Sequence, residues 1–245
     1  MKTRFFSRMA CVAALATVAL SAHATTSDTV IGASFVNGST SFTQSFADGL
    51  SATFVAGQRT FEKKTQAGLT GVGIAGGRTG GEIDIGETIT GSFSKGVSVS
   101  AITLGLLFDG PEYKDVNEVA KITANYWGGG TGVFTLTATG THTAIWSLAT
   151  SGVASLGSGA VNGGTGAWTV SNPFGAHIVS SLVFTAAVGS KPDSCHSCSN
   201  QSDYTFIGLT ASPVAAVPEP ETFAMLLAGL GLVGAIARRR KLNAA

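Results

Sequence analysis

A short acidic segment carries the residue types that bind a hard metal ion. Asp109, Glu112, Asp115, Asn117 and Glu118 place four carboxylates and one amide within ten positions of the chain. Calcium takes about six to eight oxygen ligands from flexible carboxylates, amides and carbonyls, so these residues predict a calcium site. The ligand order of an EF-hand is absent, and a solvated polar loop is the simpler interpretation.

Two closely spaced cysteines form a second group of residues that could carry redox, metal-binding or disulfide chemistry. Cys195 and Cys198 have the C-x-x-C spacing, which fits a redox dithiol, half of a zinc site or a local disulfide. Zinc needs further ligands, and His142 and His177 are isolated in the sequence. No thioredoxin-like pattern surrounds the pair, so for an exported chain we predict a disulfide that closes the loop within residues 191–202.

Patterns that would support catalysis are incomplete. Residues 71–76 satisfy G-x-G-x-x-G, but a Gly-rich segment follows instead of a helix, so we expect a flexible loop. The chain has neither a G-x-S-x-G nor an H-E-x-x-H motif. No catalytic residue is assigned. Carboxylates such as Glu112 or Asp115 keep a carbohydrate-active enzyme, similar to a glycoside hydrolase, open as the alternative.

Aromatic residues allow a further binding interpretation. Such side chains stack on sugar rings in lectin-like modules, but they more often pack in the core or across strands. The residues concerned are Tyr113, Tyr126, Trp127, Trp146 and Trp168.

The segments that would position these residues have the pattern of β-strands. Short alternating or β-branched stretches are separated by clusters of Gly, Asn, Ser, Asp and Pro, and no long helical period interrupts them. We predict an all-β fold, a single β-sandwich or jelly roll. Residues 65–81 and 151–166 are Gly-rich and are expected to be loops. The predicted strands cover residues 30–36, 41–46, 52–56, 82–85, 88–93, 97–108, 119–127, 132–138, 144–148, 167–170, 178–187 and 204–210.

Charge is scarce and unevenly distributed. Only 12% of the 245 residues are charged, and seven of the 15 Lys and Arg lie in the two terminal tails. The segment between the tails therefore carries a net charge of −4. This composition excludes a charged disordered polymer and offers no basic patch for nucleic acid.

The N-terminus has the order of a secretory signal peptide. Lys2, Arg4 and Arg8 precede an apolar stretch at residues 9–20, and a small-x-small cleavage pattern ends at Ala24. About twelve apolar residues are too short to cross a bilayer. We therefore predict a signal peptide helix over residues 1–24 and export by the Sec machinery.

The C-terminus has a tripartite order. A Pro-x-Pro break comes first, an uncharged apolar segment at residues 223–237 follows, and a cationic cluster ends it. These three parts predict a stiff linker, an apolar helix that anchors in the inner membrane, and a cytoplasmic stop. The break is Val217, Pro218, Glu219 and Pro220; the apolar positions include Phe223, Leu226, Leu227, Leu230, Leu232, Val233 and Ile236; the cations are Arg238, Arg239, Arg240 and Lys241.

This tail resembles the PEP-CTERM sorting signal of exported bacterial proteins. The resemblance implies a Gram-negative source, transient retention at the inner membrane, and cleavage near Pro-Glu-Pro by an exosortase, a membrane-embedded cysteine protease. It further implies a cell that makes exopolysaccharide or biofilm matrix. It covers only the tails, so it predicts destination and leaves the activity of the body open.

Together these features predict three regions. Residues 1–24 are the signal peptide, residues 25–212 a β-sandwich body, and residues 213–245 the sorting and anchor segment. The expected protein is secreted or surface-exposed and non-enzymatic, with exopolysaccharide as a candidate partner and no resident cofactor other than a candidate calcium ion.

Overall fold

Thirteen strands and one C-terminal helix make up the described parts of the chain. The computed structural model describes residues 26–191, 198, 202–214 and 220–242. The prediction of a mostly β chain with a C-terminal helix is confirmed, whereas the predicted signal peptide lies outside the described residues. The strands are β1 (Asp28–Ile31), β2 (Ser41–Ser45), β3 (Ser51–Ala56), β4 (Phe61–Gln66), β5 (Leu69–Ile74), β6 (Ile89–Gly105), β7 (Asn117–Tyr126), β8 (Thr131–Gly140), β9 (Thr143–Trp146), β10 (Gly152–Leu156), β11 (Ala167–Ser171), β12 (Val179–Ser190) and β13 (Thr205–Pro213), and the helix is α1 (Pro220–Leu242).

The 17-residue strand β6 joins two sheet regions. Its first half lies between β3 and β12, and the first region continues through β2 on one side and β7, β8 and β9 on the other. Its second half lies between β13 and β11, with β5 and β4 beyond β13 and β10 beyond β11. Strand β1 adds to β13. All these pairings are antiparallel, and the arrangement resembles a sandwich.

Aromatic side chains from both regions meet in the core. Phe54 of β3 and Phe184 of β12 point inward from the first region, and their ring centroids lie 5.4 and 5.1 Å from that of Phe206 in the second. All three are fully buried. Each such side chain stabilises the fold by roughly 1.5–3 kcal/mol relative to an exposed position. Alternation of apolar and polar residues along β3 and β12 sets this arrangement, because successive side chains of a strand point to opposite faces.

The Gly-rich segments differ from the prediction. Residues 151–166, expected to be a loop, contain β10, which pairs with β11. Residues 65–81, also expected to be a loop, contain β5. This strand pairs with β4, and neither β4 nor β5 was predicted. The strands predicted at residues 88–93 and 97–108 merge into β6. The strand predicted at residues 82–85 forms only isolated bridges at Glu82 and Ile85.

The glycines of the G-x-G-x-x-G pattern lie on β5 and in the turn after it, so the expected flexible loop is wrong for residues 71–74. Gly73 allows close approach of another backbone segment. A Cβ at this position would lie 2.4 Å from the Cα of Glu82. The lack of a side chain at Gly73 therefore permits the Glu82 backbone to lie directly against β5.

We predict that Gly73→Ala destabilises the body by about 1–3 kcal/mol, because the added methyl group forces the Glu82 backbone away from β5. Urea unfolding measures the change. Gly152→Ala is the matched control, since its nearest neighbour beyond the adjacent residues is 3.9 Å from the added Cβ. Equal free energies of unfolding for the two variants would contradict the prediction.

Candidate functional site

Carboxylates from distant parts of the chain line one cavity of about 280 Å³. Glu118 is the second residue of β7, Asp115 precedes this strand, Asp203 precedes β13, and Glu82 follows β5. Lys64 of β4 is the one cation among the residues that line the cavity. We call these four carboxylates the acidic cluster.

Three members of the acidic cluster have the arrangement of metal ligands. One carboxylate oxygen from each of Asp115, Glu118 and Asp203 lies within 4.8 Å of the other two. Glu118 is 3% exposed and Asp203 is 6% exposed. Hard oxygen ligands converging on one point suit calcium.

Backbone contacts hold these side chains in place. Glu118 donates its backbone N–H to the carbonyl of Phe108 at 2.9 Å, and its Oε2 accepts the N–H of Phe108. Asp203 accepts a hydrogen bond from the Thr79 hydroxyl at 3.1 Å. The neighbouring Ser202 hydroxyl accepts the N–H of Val119 at 2.6 Å, which ties the segment before β13 to β7.

Burial changes the protonation of the cluster. It raises the pKa of Glu82 to about 8, the charge of Asp203 adds to this effect, and Lys64 at 3.1 Å opposes it. Burial likewise raises the pKa of Glu118 well above its ordinary value, again with a contribution from Asp203. Each effect has the same physical cause: a carboxylate loses hydration, and like charges lie nearby. Glu82 therefore keeps its proton at neutral pH when no metal ion is bound.

The structure brings together only part of the predicted calcium site. Asp115 and Glu118 converge on Asp203, whereas Asp109 and Glu112 lie outside this group. Asn117, the first residue of β7, pairs with Ser190, the last residue of β12, and burial raises the pKa of Asp109 at a separate position. The predicted calcium site did not include Asp203 or Glu82, because both are far from residues 109–118 in sequence.

Cys198 lies beside the acidic cluster. It is buried, takes part in a disulfide, and its Sγ is 2.8 Å from the carbonyl oxygen of Asp115. Cys195 lies outside the described residues, so the pairing of Cys195 with Cys198 stays a prediction.

A second cavity, of about 590 Å³, contains two more acids. Asp84 accepts hydrogen bonds from the backbone N–H groups of Arg78 at 2.6 Å and Thr79 at 3.1 Å, and Glu87 accepts the N–H of Asp84 at 3.1 Å. Burial raises the pKa of Glu87. These contacts shape the Gly-rich turn after β5, so both carboxylates have a structural role here.

The aromatic residues divide between core and surface. Trp146 and Trp168 are buried and donate their indole N–H groups to backbone carbonyls at 2.9 Å. Tyr126 stacks on His177 with ring centroids 4.3 Å apart. Tyr113 is 55% exposed and Trp127 is 56% exposed, but Tyr113 uses its hydroxyl to bind the backbone of Gly163.

The predicted tail forms the helix α1. Its apolar side chains are exposed from Met225 to Ile236 and are not confined to one face. Val217, Pro218 and Glu219 lie outside the described residues, and Pro220 begins the helix. Among the helices of the described residues, none combines the length and apolar character needed to cross a membrane.

We predict that, in chelator, the body loses stability as pH rises from about 4.5 to about 8. The native state keeps a proton on Glu82 in this range while the unfolded state releases it. Glu82→Gln, which mimics the protonated form, is expected to flatten the dependence. Thermal melts across this range measure it, with Glu62→Gln on β4 as the control. A melting temperature that rises over the same range would refute the prediction.

Calcium at millimolar concentration is expected to raise the melting temperature. An ion that binds only the folded state stabilises it by about 2.7 kcal/mol at a hundredfold excess over its dissociation constant. Asp115→Asn combined with Asp203→Asn should remove most of this rise, whereas Asp109→Asn should leave it. Identical melts with calcium and with chelator would discard the site.

Comparison with known proteins gives one match, in the tail. No curated protein and no solved structure matches the chain. Residues 216–241 match the PEP-CTERM protein-sorting motif, so the chain carries the C-terminal sorting signal that its Pro-Glu-Pro segment, apolar helix and arginine cluster predicted.

Proposed function

We propose that this chain is an exported surface or matrix protein, that an exosortase processes its tail, and that its β body has a non-enzymatic structural or carbohydrate-binding role. The sorting motif at residues 216–241 is the observation that carries the proposal. Such a motif implies processing by exosortase, which is a membrane protein, and sorting to the surface of a Gram-negative cell.

The position of the motif in the fold supports processing of an already folded body. Strand β13 ends at Pro213, and the motif begins three residues later. The five residues between Val214 and Pro220 span at most about 18 Å. Cleavage at the Pro-Glu-Pro segment would therefore remove no residue of β13.

The acidic cluster supports a non-enzymatic body. The Oε2 of Glu118 already accepts the Phe108 amide, and Glu82 is paired with Lys64. The cavity of about 280 Å³ lies just below the size range of ligand sites, which measure roughly 300–1,000 Å³. These groups are better placed to hold a cation or protons than to enclose a sugar ring.

A carbohydrate-active enzyme is the second candidate, because raised carboxyl pKa values are a property of general acids. Glu82 and Glu118 have such values, and Asp115 shares their cavity. Release of reducing ends from polysaccharides tests this candidate. If the protein has such activity, and Glu118→Gln abolishes it without unfolding the protein, the enzyme would be favoured over the non-enzymatic proposal.

We predict that protein recovered from the medium of a producing cell lacks residues after the Pro-Glu-Pro segment. Intact mass measures the processed C-terminus. Replacing Pro218, Glu219 and Pro220 with Ala is expected to leave the tail attached, whereas Pro213→Ala, outside the motif, should be processed normally. Recovery of the full tail from unaltered protein would refute the proposal.

A further inference from the structure

The outer surface of the first sheet region has a regular row of short polar side chains. Antiparallel register places them side by side across six strands, from β2 through β3, β6, β12 and β7 to β8. The row consists of Thr43, Thr53, Ser92, Ser181, Asn125 and Thr131.

A second row lies beside the first, two residues along each strand. It alternates hydroxyl and apolar side chains and consists of Ser41, Val55, Thr90, Val183, Thr123 and Val133. We call these two rows the hydroxyl face. Eight of its twelve positions are Ser or Thr, one is Asn, three are Val, and none is charged.

The opposite side of the same strands fixes the orientation of the hydroxyl face. Phe54, Leu182 and Ile122 alternate with these positions and are fully buried. The side chains of the hydroxyl face are exposed or half-buried. Within the face, the hydroxyls of Thr43 and Thr53 lie 3.0 Å apart, and Asn125 donates to Ser181 at 2.8 Å. These contacts order the hydroxyl groups before any partner binds.

The chemistry of the face limits the partner. A charged polymer would find no complementary charge on these rows, and Lys121 on the adjoining row is the nearest cation by register. Protein interfaces depend on Trp, Tyr, Arg and Met anchors and are depleted in Ser, and the face has none of these anchors. The same argument disfavours a second copy of the face.

An uncharged polysaccharide has the matching chemistry. Its hydroxyls both donate and accept hydrogen bonds, as Ser and Thr hydroxyls do. The methyl groups of Val and Thr offer apolar contact to the C–H surface of a sugar ring. Six strands about 4.8 Å apart extend over roughly 24 Å, which accommodates several sugar units. We propose that the hydroxyl face binds a neutral polysaccharide. This inference rests on the proposed extracellular role of the body and identifies the surface that would carry it out.

Sedimentation of the exported protein with insoluble cellulose and with curdlan, both uncharged glucans, tests the proposal. The face variant carries Thr43, Thr53, Thr123 and Thr131 changed to Val, which keeps β propensity and removes four hydroxyls. The expected result is binding of unaltered protein to at least one glucan and a dissociation constant at least about tenfold higher for the face variant.

A control variant has the same number of Thr→Val changes outside the face. The four changes fall on two cross-strand pairs. One pair is Thr29 and Thr210 on β1 and β13, with hydroxyls 3.2 Å apart, and the other is Thr65 and Thr70 on β4 and β5, with hydroxyls 2.7 Å apart. This variant is expected to bind like unaltered protein. If the face variant does not fold, Ser92→Ala with Ser181→Ala replaces it.

Three results would overturn the proposal: no binding to either glucan, equal binding by the face and control variants, or preferential binding to alginate, a polyanion. A dimer in gel filtration that only the face variant dissociates would instead assign the face to a second copy. Tail processing is measured separately, by intact mass. Protein that has a correctly processed tail but does not bind either glucan would reject this inference and leave the export proposal intact.

Discussion

The fold depends on the sharing of one strand between two sheet regions. The first half of β6 pairs with β3 and β12, and its second half pairs with β13 and β11. A single strand therefore aligns Phe54 and Phe184 on one side of the core with Phe206 on the other. Loss of its register would separate both regions at once, because a one-residue slip turns every side chain to the other face.

The same pairing creates the acidic cluster. Strand β13 lies beside β6, and Asp203 comes just before it. The Ser202 hydroxyl joins this segment to Val119 of β7, next to Glu118. Four carboxylates thus converge, burial opposes the ionisation of Glu82 and Glu118, and Lys64 offsets only part of this effect at Glu82. Protons on Glu82 and Glu118 lower the repulsion within the cluster, and a bound cation would do the same.

Sequence patterns predicted the strands that have alternating side chains, and missed those that do not. Strands β5 and β10 are rich in small residues, and their pairing with β4 and β11 decides their conformation. Propensity alone carries no such information. At the candidate site, the acidic segment 109–118 predicted Asp115 and Glu118 as ligands, because the two residues are close in sequence. Their contact with Asp203 results from the order of the strands, which no local pattern records.

The strand order also places the chain ends of the body and the acidic cluster at opposite ends of β13. Strand β1 pairs with β13, and the hydroxyls of Ser27 and Ser212 lie 3.1 Å apart. The start of the body and the exit toward the sorting motif are therefore neighbours. Asp203 lies before the opposite end of β13, about nine residues or roughly 30 Å away along an extended strand. The exit toward the sorting motif and the acidic cluster consequently lie at opposite ends of β13, so a membrane that holds the tail approaches the body from the end away from the cluster.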